Sequence, residues 1–389
     1  MTHSNTGPGL LPAPIANGVL LVCCIVTLCV LCIAGFSPFT PHPRNEVRWL
    51  EKQNGLHFGE YATILTEVPL RLEGSPDGSC TVELWMQPGV IADSNTMLAF
   101  YMPDNLLQFS IAQFGDDLSL ERKPGDRASR AKRTFVYVSH ILKQDVPVLI
   151  TVTAGQEGTT LYVNSERVAT SSTFGLSRRD LAGQIVVGNS PFVNDSWSGN
   201  LYGIGVYNQA LTPEQVRKNY DRWTQSGQPD ELAGKSAAAV FSFAERSGTV
   251  VHNRVATGPD LTIPKSYVVL HPPFFEAFWR PETFDWPFWK DMLLNVCGFV
   301  PLGICFSAYF ARFMTVRRAM FLAILFGVTL SFSIEATQYF LPTRDSDSRD
   351  FINNSLGTLL GALTSLLAIV RRIVAWVGVA PATRQEGFK

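Results

Sequence analysis

Four segments of the sequence are apolar and about as long as the hydrocarbon core of a bilayer is thick. They cover residues 18–35, 292–310, 319–341 and 353–370. About 20 consecutive apolar residues in a helix cross a membrane, and the lipid interior admits only backbone whose hydrogen bonds are satisfied internally. The sequence therefore predicts four transmembrane helices, with one long segment between the first and the second.

The charges of the short loops predict the orientation of these helices. The loop at residues 312–318 contains three arginines and no acid, and Arg371 and Arg372 follow the last apolar segment. Short cytoplasmic loops of membrane proteins carry an excess of Arg and Lys. We therefore expect both termini in the cytoplasm and the long segment on the extracytoplasmic side.

The long segment, residues 42–270, has the pattern of a β protein. Short β-rich runs at residues 79–86, 146–153 and 184–188 are separated by turns of Gly, Asn, Asp and Pro. Such spacing predicts an all-β sandwich. One helix is expected after Thr212, because this residue is a good N-cap and is followed by Pro at the first helical position and by Gln in the capping box.

Four motifs in this segment resemble the concanavalin A-like, LamG-type jelly roll. They are Ile150-Thr151-Val152-Thr153, Thr160-Leu161-Tyr162-Val163-Asn164, Ile185-Val186-Val187-Gly188-Asn189, and Trp197–Gly203 followed by Val206–Glu214. A fifth, at residues 241–250, resembles the segment that normally opens this domain, but here it comes last. We therefore predict a circular permutation, which requires the strand near residues 240–243 to lie close to the strand near residues 56–58.

The jelly roll has two functional interpretations, which the sequence leaves open. It binds a glycan or a protein, or it is a spacer. A glucanase is disfavoured, because that chemistry needs two carboxylates on one sheet face, and Glu83 and Glu121 stand apart with no Glu-x-Asp-x-x-Glu pattern. Only Cys80 lies in this region, so we expect no disulfide framework, no metal site and no cofactor. The formal net charge of −1 gives no signature of a nucleic-acid partner.

Glu335 is the one charged residue inside the third apolar segment. A carboxylate at membrane depth costs a few kcal/mol, about 2.5 or more, and usually marks a functional site. The predicted topology brings further polar residues to the same, outer half of the membrane. The candidate ligand-binding residues are Asn295, Glu335, Gln338, Arg344, Asp350 and Asn354.

The spacing of these residues resembles the VanZ-like membrane family. The motifs are Asn295-x-x-Gly298-Phe299-Val300-Pro301-Leu302-Gly303, Ser331-x-x-x-Glu335-x-x-Gln338-x-Phe340-Leu341-Pro342-x-Arg344, and Asp350-x-x-x-Asn354-x-x-Gly357-x-x-x-Gly361. The resemblance implies a role in the bacterial cell envelope, in the handling of surface ligands or glycopeptides, since the family takes its name from a teicoplanin-resistance protein. The jelly roll would then be an insertion after the first helix.

These patterns together divide the chain into domains. They are a cytoplasmic tail (1–17), transmembrane helix 1 (18–36), a LamG-like β-sandwich (42–270), an aromatic interfacial linker (271–290), VanZ-like helices 2–4 (291–372) and a second cytoplasmic tail (373–389). The fold class is thus a multidomain membrane protein with four transmembrane helices and an inserted, permuted jelly roll.

The polar membrane residues also have two interpretations. In the first, Glu335 pairs with Arg344 or shares a proton with Gln338 and Asn354, in an outward pocket for a ligand. In the second, the same groups only hold three helices together. We expect a binding protein of the bacterial inner membrane rather than an enzyme. Its partners would be the lipid bilayer and a cell-wall glycan, a lipid headgroup or an envelope protein. The alternatives are a membrane enzyme acting on a lipid-linked glycan and a purely structural membrane anchor.

Overall fold

A computed structural model describes residues 13–37, 39–91, 94–102, 106–122, 134–228, 236–275 and 286–366. The chain forms two compact units. One unit is His42–Pro272, and the other combines Met1–Pro41 with Pro273–Lys389. We call them the β unit and the helical unit. The boundary lies close to the predicted domain at residues 42–270.

The helices of the described residues are numbered in chain order. They are α1 (Ala13–Phe36), α2 (Arg178–Leu181), α3 (Pro213–Ser226), α4 (Trp286–Phe310), α5 (Val316–Gln338) and α6 (Ser348–Thr364). In the part of the chain that the structure describes, three helical stretches are long and apolar enough to cross a membrane: Asn17–Phe36, Phe288–Phe310 and Val316–Gln338. They correspond to the first three predicted spans.

The fourth predicted span, residues 353–370, remains a prediction. Helix α6 begins earlier, at Ser348, and has 17 residues. Residues 367–370 lie outside the described part of the chain, as does the centre of the predicted aromatic linker, residues 276–285. Residues 1–12 of the predicted N-terminal tail and the whole predicted C-terminal tail, residues 373–389, also lie outside it, whereas residues 13–17 belong to α1.

Close backbone contact holds α4 and α6 together. A Cβ placed on Gly357 or Gly361 of α6 would collide with the backbone carbonyls of Val296 and Val300 on α4. A Cβ on Gly303 of α4 would likewise collide with backbone of α6. Small residues allow such an approach between membrane helices. The small-residue face that the sequence indicates on α6 is therefore its packing face.

The β unit consists of two antiparallel sheets. The strands are β1 (Val47–Trp49), β2 (Leu56–Phe58), β3 (Ile64–Thr66), β4 (Cys80–Pro88), β5 (Ser94–Met102), β6 (Leu106–Phe114), β7 (Asp117–Arg122), β8 (Thr134–Val138), β9 (Val148–Gly155), β10 (Gly158–Val163), β11 (Glu166–Ser171), β12 (Gln184–Val187), β13 (Gly199–Tyr207), β14 (Ala237–Phe241), β15 (Val250–Val251) and β16 (Leu261–Thr262). Sheet 1 has the order β1-β2-β13-β4-β9-β10-β11, with β14 also on β13, and sheet 2 has the order β15-β16-β3-β12-β5-β6-β7-β8.

The two sheets enclose one apolar core. Fully buried aromatic side chains from both sheets contribute to it, among them Phe58, Phe100, Phe109 and Phe241. Alternation along each strand places these residues inward, as expected of a sandwich. The predicted β-sandwich is therefore confirmed, and the three β-rich runs of the sequence correspond to β4, β9 and β12.

Helix α3 covers the outer face of sheet 1. Thr212 is its N-cap, Pro213 opens it, and the Thr212 and Gln215 side chains form the predicted capping box. Val216 and Trp223 of α3 pack with Tyr207 of β13 in a second apolar cluster. The amphipathic helix is thus stabilised by burying one face on the sheet.

Strands β2 and β14 meet the condition set by the predicted permutation. β2 pairs with Gly199–Leu201 of β13, and β14 pairs with Ile204–Tyr207 of the same strand. Strand β4 pairs with the opposite side of β13. Strands β2 and β14 therefore lie on the same side of β13, one after the other along its length. The permutation itself stays a prediction.

The two ends of the β unit are joined to each other. Arg44 and Ser266 form an isolated antiparallel bridge, and the N–H of Tyr267 donates to the carbonyl of Pro43 at 2.9 Å. The side chain of Asn45 donates to the carbonyls of Thr63 and Pro264. The domain is thereby closed where the chain enters and leaves it.

Candidate functional site

All six predicted site residues line one cavity in the helical unit. The cavity has a volume of about 510 Å³ and lies among α1, α4, α5 and α6. Its polar lining includes Asn295, Glu335, Gln338, Arg344, Asp350 and Asn354. Its apolar lining includes Val26, Val30 and Leu31 of α1 and Leu294 and Phe299 of α4. The helical spacing in the sequence thus brings the predicted residues together, and whether they bind a ligand is a separate question.

Glu335 is buried, with 1% of its surface exposed. It lies on the packed face of α5 that also carries Gly327, Ser331 and Gln338. Its Oε2 accepts a hydrogen bond of 2.9 Å from the backbone N–H of Asp347. One pairing that the sequence suggests for Glu335 is with the guanidinium of Arg344. The hydrogen bond observed is instead with the backbone of the segment that leads into α6.

Gln338 and Arg344 instead satisfy the end of α1. The last carbonyls of a helix have no partner within the helix. Gln338 donates through Nε2 to the carbonyl of Gly35 at 2.7 Å, and Arg344 donates through an Nη to the carbonyl of Ala34 at 3.2 Å. The positive charge of Arg344 also favours the negative end of the helix dipole.

The two asparagines make side-chain bonds between helices. Asn295 of α4 donates to Asp350 of α6 at 2.6 Å, and Asn354 of α6 donates to Ser331 of α5 at 3.2 Å. These bonds agree with the second interpretation, in which polar groups hold helices together. They do not satisfy all the hydrogen-bonding groups of the residues that line the cavity.

Two buried polar atoms of the cavity lining have no hydrogen-bond partner among the described residues. They are Nε of Arg344 and Oδ1 of Asn354. Most buried polar side-chain atoms in proteins are hydrogen-bonded, so exceptions call for an explanation such as a missing water, ion or ligand. A purely structural network leaves these two atoms unexplained.

A second cavity adjoins the first. It has a volume of about 480 Å³ and shares Leu294, Asn295, Arg344 and Asp350 with it. Its other polar lining residues are Asp291, Asp345, Asp347, Arg349 and Asn353. Arg349 and Asp347 form an ion pair of 2.7 Å there. The predicted site did not include these residues, although Asp345, Asp347 and Arg349 lie together in the short stretch between the third and fourth apolar segments.

Part of the predicted aromatic linker packs on the helical unit. Phe275 lies 5.7 Å from Phe332 of α5 and 5.7 Å from Phe351 of α6, measured between ring centroids. Phe274 lies 5.5 Å from Tyr339. Sequence reasoning selected the tryptophans of this linker, of which Trp289 lies 5.3 Å from Phe288, and did not select the two phenylalanines that contact α5 and α6.

Glu83 of the β unit has a structural position rather than a catalytic one. It is fully buried between sheet 1 and α3 and accepts hydrogen bonds from Tyr207 at 2.8 Å, Asn219 at 3.0 Å and Trp223 at 2.8 Å. Burial raises the pKa of its carboxyl, against the lowering effect of those three bonds. Glu121 belongs to β7 of sheet 2. The two glutamates therefore do not form a glycosidase pair.

Asp116, Asp117 and His140 are the group of described residues whose side chains lie close enough to hold a metal ion, with ligand atoms within 4.8 Å of one another. They already bond to one another: the His140 ring contacts Asp116 at 2.7 Å, and its backbone N–H donates to Asp117 at 2.9 Å. The bond with Asp116 raises the pKa of His140 and lowers that of Asp116. Sequence spacing does not reveal this group, because Asp116 and His140 are 24 positions apart in the chain.

The sequence matches two family models. Residues 237–370 match the VanZ/LLP1 family, and residues 59–217 match the concanavalin A-like lectin/glucanases superfamily. The first match begins at β14, within the β unit, and extends through α6. A comparison with curated proteins gives no match.

Solved structures resemble the chain at low sequence identity. A candidate carbohydrate binding protein from Bacteroides ovatus is 14% identical, with a TM-score of 0.39, over 57% of this chain and 63% of that one. A pentraxin from Limulus polyphemus, described as SAP-like, is 16% identical, with a TM-score of 0.31, over 46% of this chain and 79% of that one. The binding domain of botulinum neurotoxin serotype D is 12% identical, with a TM-score of 0.33, over 48% and 47%. Thus the chain spans less than two thirds of the Bacteroides structure.

The two family matches correspond in part to the two units that the structure separates, since residues 237–272 of the VanZ/LLP1 match belong to the β unit. The membrane-competent helices and their polar cavity belong to the segment matched by VanZ/LLP1, apart from α1. Most strands of the sandwich belong to the segment matched by the lectin/glucanase superfamily. The chain is a membrane protein that carries a VanZ-like domain and a concanavalin A-like, LamG-type jelly roll.

Proposed function

We propose that the chain is a multi-pass protein of the bacterial inner membrane that binds ligands on its extracytoplasmic side. Its jelly roll, inserted between the first and second of four transmembrane helices, binds a glycan or an envelope protein. Its helical unit holds a second ligand in an outward-facing polar pocket. The process served is glycopeptide susceptibility or the handling of surface polysaccharide.

One observation carries this proposal: six polar residues chosen from the sequence line a single cavity among apolar helices. Cavities of about 300–1,000 Å³ with a few convergent polar groups are typical ligand sites. Ionisable residues within membrane segments are usually functional, because burying them has a cost that packing alone does not offset. The two unpartnered atoms, Arg344 Nε and Asn354 Oδ1, favour a pocket over a purely structural network.

The first test is the Glu335→Gln variant in the bacterium that makes the protein. Glutamine has nearly the same size, and its amide oxygen can still accept the N–H of Asp347, so we expect normal membrane levels of folded protein. We expect the variant to lose its effect on glycopeptide susceptibility, measured as the minimal inhibitory concentration of teicoplanin in a deletion strain that carries the variant gene.

The matched control for this test is Ser333→Ala on the same helix. Within the described part of the chain, the Ser333 hydroxyl bonds only to the carbonyl of Thr329 in α5, and the residue is exposed. This variant should behave as the wild type does. If Glu335→Gln also keeps full susceptibility effects at normal protein levels, the pocket is structural and the proposal is wrong.

The jelly roll is tested separately, by glycan-array binding of the fragment His42–Pro272. The β unit has its own core, and its ends bond to each other, so we expect the fragment to fold. Binding to cell-envelope glycans would support recognition. A folded fragment that binds neither glycans nor extracted envelope proteins would identify the domain as a spacer.

A membrane enzyme acting on a lipid-linked glycan is the second candidate. The observation that favours it is the presence of two carboxylates, Glu335 and Asp350, in the same cavity. One carboxylate acting as a general base is a common catalytic device. Turnover of a lipid-linked glycan by the purified protein, abolished in Glu335→Gln, would establish this alternative.

A further inference from the structure

The first cavity has an apolar mouth. Val26 and Val30 of α1 and Leu294 of α4 all line the cavity, yet 55%, 58% and 60% of their surfaces are exposed. Side chains that line a cavity and are also exposed lie at its opening. Between two helices that are apolar enough to cross a membrane, such an opening faces lipid chains. The cavity can therefore be entered sideways by a hydrocarbon chain.

The polar end of the same cavity offers one positive donor and one amide. Nε of Arg344 has no acceptor, and Oδ1 of Asn354 has no donor, although only 4% of Asn354 is exposed. Asn354 bonds to the hydroxyl of Ser331, which can donate or accept. Whichever way the amide is turned, one end of it lacks a partner. Guanidinium groups bind phosphate oxygens especially well.

The second cavity has a different chemistry. It is lined by four aspartates and two arginines, together with two asparagines, Asn295 and Asn353. Carboxylates and amides accept hydrogen bonds from hydroxyl groups, whereas an excess of acids disfavours a ligand with many negative charges. The second cavity therefore suits a neutral group rich in hydroxyls. Arg344 lines both cavities and so stands at their junction.

We propose that the two cavities together bind a lipid-linked sugar phosphate: the hydrocarbon chain lies in the first cavity, the phosphate contacts Arg344 at the junction, and the sugar lies in the second cavity. This inference rests on the proposed pocket and names the ligand class for it. With its amide turned so that the oxygen accepts from the Ser331 hydroxyl, Asn354 donates through Nδ2 to an oxygen of the phosphate that links the chain to the sugar. Asp350 and Asn295, which are bonded to each other, form the wall beside the phosphate.

The test uses the full-length protein in detergent micelles, with binding measured by native mass spectrometry. The main probe is farnesyl phosphoryl glucose. Farnesyl phosphate lacks the sugar, farnesyl glucoside lacks the phosphate, and phosphatidylinositol replaces the isoprenoid by two acyl chains. We expect the main probe to bind about tenfold or more tightly than farnesyl phosphate or farnesyl glucoside. Farnesyl phosphate lacks the neutral hydrogen bonds of the sugar, and farnesyl glucoside lacks the charge-assisted hydrogen bonds of the phosphate.

The phosphatidylinositol arm distinguishes the two sources of a lipid-linked polyol phosphate. Binding as tight as that of farnesyl phosphoryl glucose assigns the site to diacyl lipids, and weaker binding assigns it to polyprenyl lipids. Either result supports the inference. Equal binding of farnesyl phosphate and farnesyl phosphoryl glucose would overturn it, because the second cavity would then contribute no recognition.

Four variants localise the ligand. Val26→Phe should narrow the mouth and weaken binding of the main probe about tenfold or more, while Val22→Phe, at an equally exposed position of α1 that does not line the cavity, should leave it unchanged. Arg344→Gln should remove the preference for the phosphate over the glucoside. Because Arg344 also caps α1, Arg344→Lys serves as a second variant that retains the charge and should retain part of the preference.

The outcome is independent of the phenotype test of Glu335. If the probes fail to bind while Glu335→Gln still loses its effect on teicoplanin susceptibility, the pocket has another ligand, and this inference is wrong while the proposed function stands. If Val26→Phe and Val22→Phe weaken binding equally, the chain does not enter between α1 and α4, and the inference is again wrong.

Discussion

At the scale of single residues, two buried glutamates illustrate different uses of the same side chain. Glu83 has three side-chain donors around it and no access to solvent. Glu335 has one backbone donor and lines a cavity. A buried carboxylate with its bonds satisfied stabilises a fold, whereas we propose that Glu335, which lines a cavity beside unpartnered polar atoms, belongs to a ligand site.

The first prediction concerns the stability of the β unit. Glu83→Leu leaves the Tyr207, Asn219 and Trp223 donors buried without an acceptor, so we expect the free energy of unfolding to fall by about 3 kcal/mol or more. Glu83→Gln should cost less, because the Asn219 amide can turn to accept from the new amide group. Chemical unfolding followed by tryptophan fluorescence measures both. Equal stability of Glu83→Leu and the wild type would contradict the prediction.

The second prediction concerns the pH dependence that Glu83 confers. Burial raises its pKa in the folded state above the ordinary value of 4.5. The folded state therefore holds the proton more tightly than the unfolded chain does, and the contribution to stability is full below 4.5 and is lost as the pH rises through the folded-state pKa. The difference in unfolding free energy between wild type and Glu83→Gln should accordingly shift against the wild type as the pH rises. A difference that is constant with pH would refute this.

The candidate site shows where sequence reasoning succeeds and where it stops. Helical periodicity was enough to place Glu335, Gln338 and Asn354 on faces that meet, because an intramembrane helix repeats every 3.6 residues. It could not identify the donor to Glu335, which is the backbone N–H of Asp347, since loop backbone directions carry no periodic signal. Nor could it show that Arg344 caps α1, about 300 positions earlier in the chain.

At the scale of elements, the helical unit depends on glycines that bring α4 and α6 close together. The positions that matter are Gly303, Gly357 and Gly361, where any Cβ would meet the backbone of the neighbouring helix. The motif Gly357-x-x-x-Gly361 is a weak signal by itself, because many apolar helices contain it by chance. Its meaning became clear only from the partner helix.

The third prediction tests this contact. Gly361→Ala places a methyl group against the carbonyl of Val300, so α4 and α6 must separate or shift, at a cost of about 1–3 kcal/mol. Thermal unfolding of the detergent-solubilised protein should show a lower midpoint. Gly298→Ala on α4 is the matched control, because its Cβ would have its nearest neighbour at 3.9 Å, an ordinary contact. An equal midpoint for both variants would rule out the close contact.

Within the β unit, the sequence predicts those features that depend on residues close together in the chain. The capping box of α3 was predicted from Thr212, Pro213 and Gln215 alone. The pairing of β14 with β13 was not, because strand partners that are distant in the chain are selected by the whole core and not by local composition. The same holds for the meeting of Asp116 with His140.

At the scale of the whole molecule, the fourth prediction tests the orientation in the membrane. Lys143 of the β unit and Arg317 at the start of α5 are both exposed. From the positive-inside rule we expect Arg317 in the cytoplasm and the β unit outside. In intact spheroplasts, a membrane-impermeant maleimide should label Lys143→Cys above the wild-type background and should label Arg317→Cys only after lysis. The reverse pattern would invert the proposed topology.

The bonded ends of the β unit have a consequence for the order of folding. Asn45 and its acceptor at Pro264 are 219 positions apart. Contacts between distant positions form late, because the chain between them must first be ordered. On a translating ribosome the N-terminal edge of the domain has to wait until nearly the whole β unit has been synthesised. Since α4 begins at Trp286, the sandwich closes as the next helix emerges. A truncation before Pro264 would therefore leave an unfinished domain rather than a smaller one.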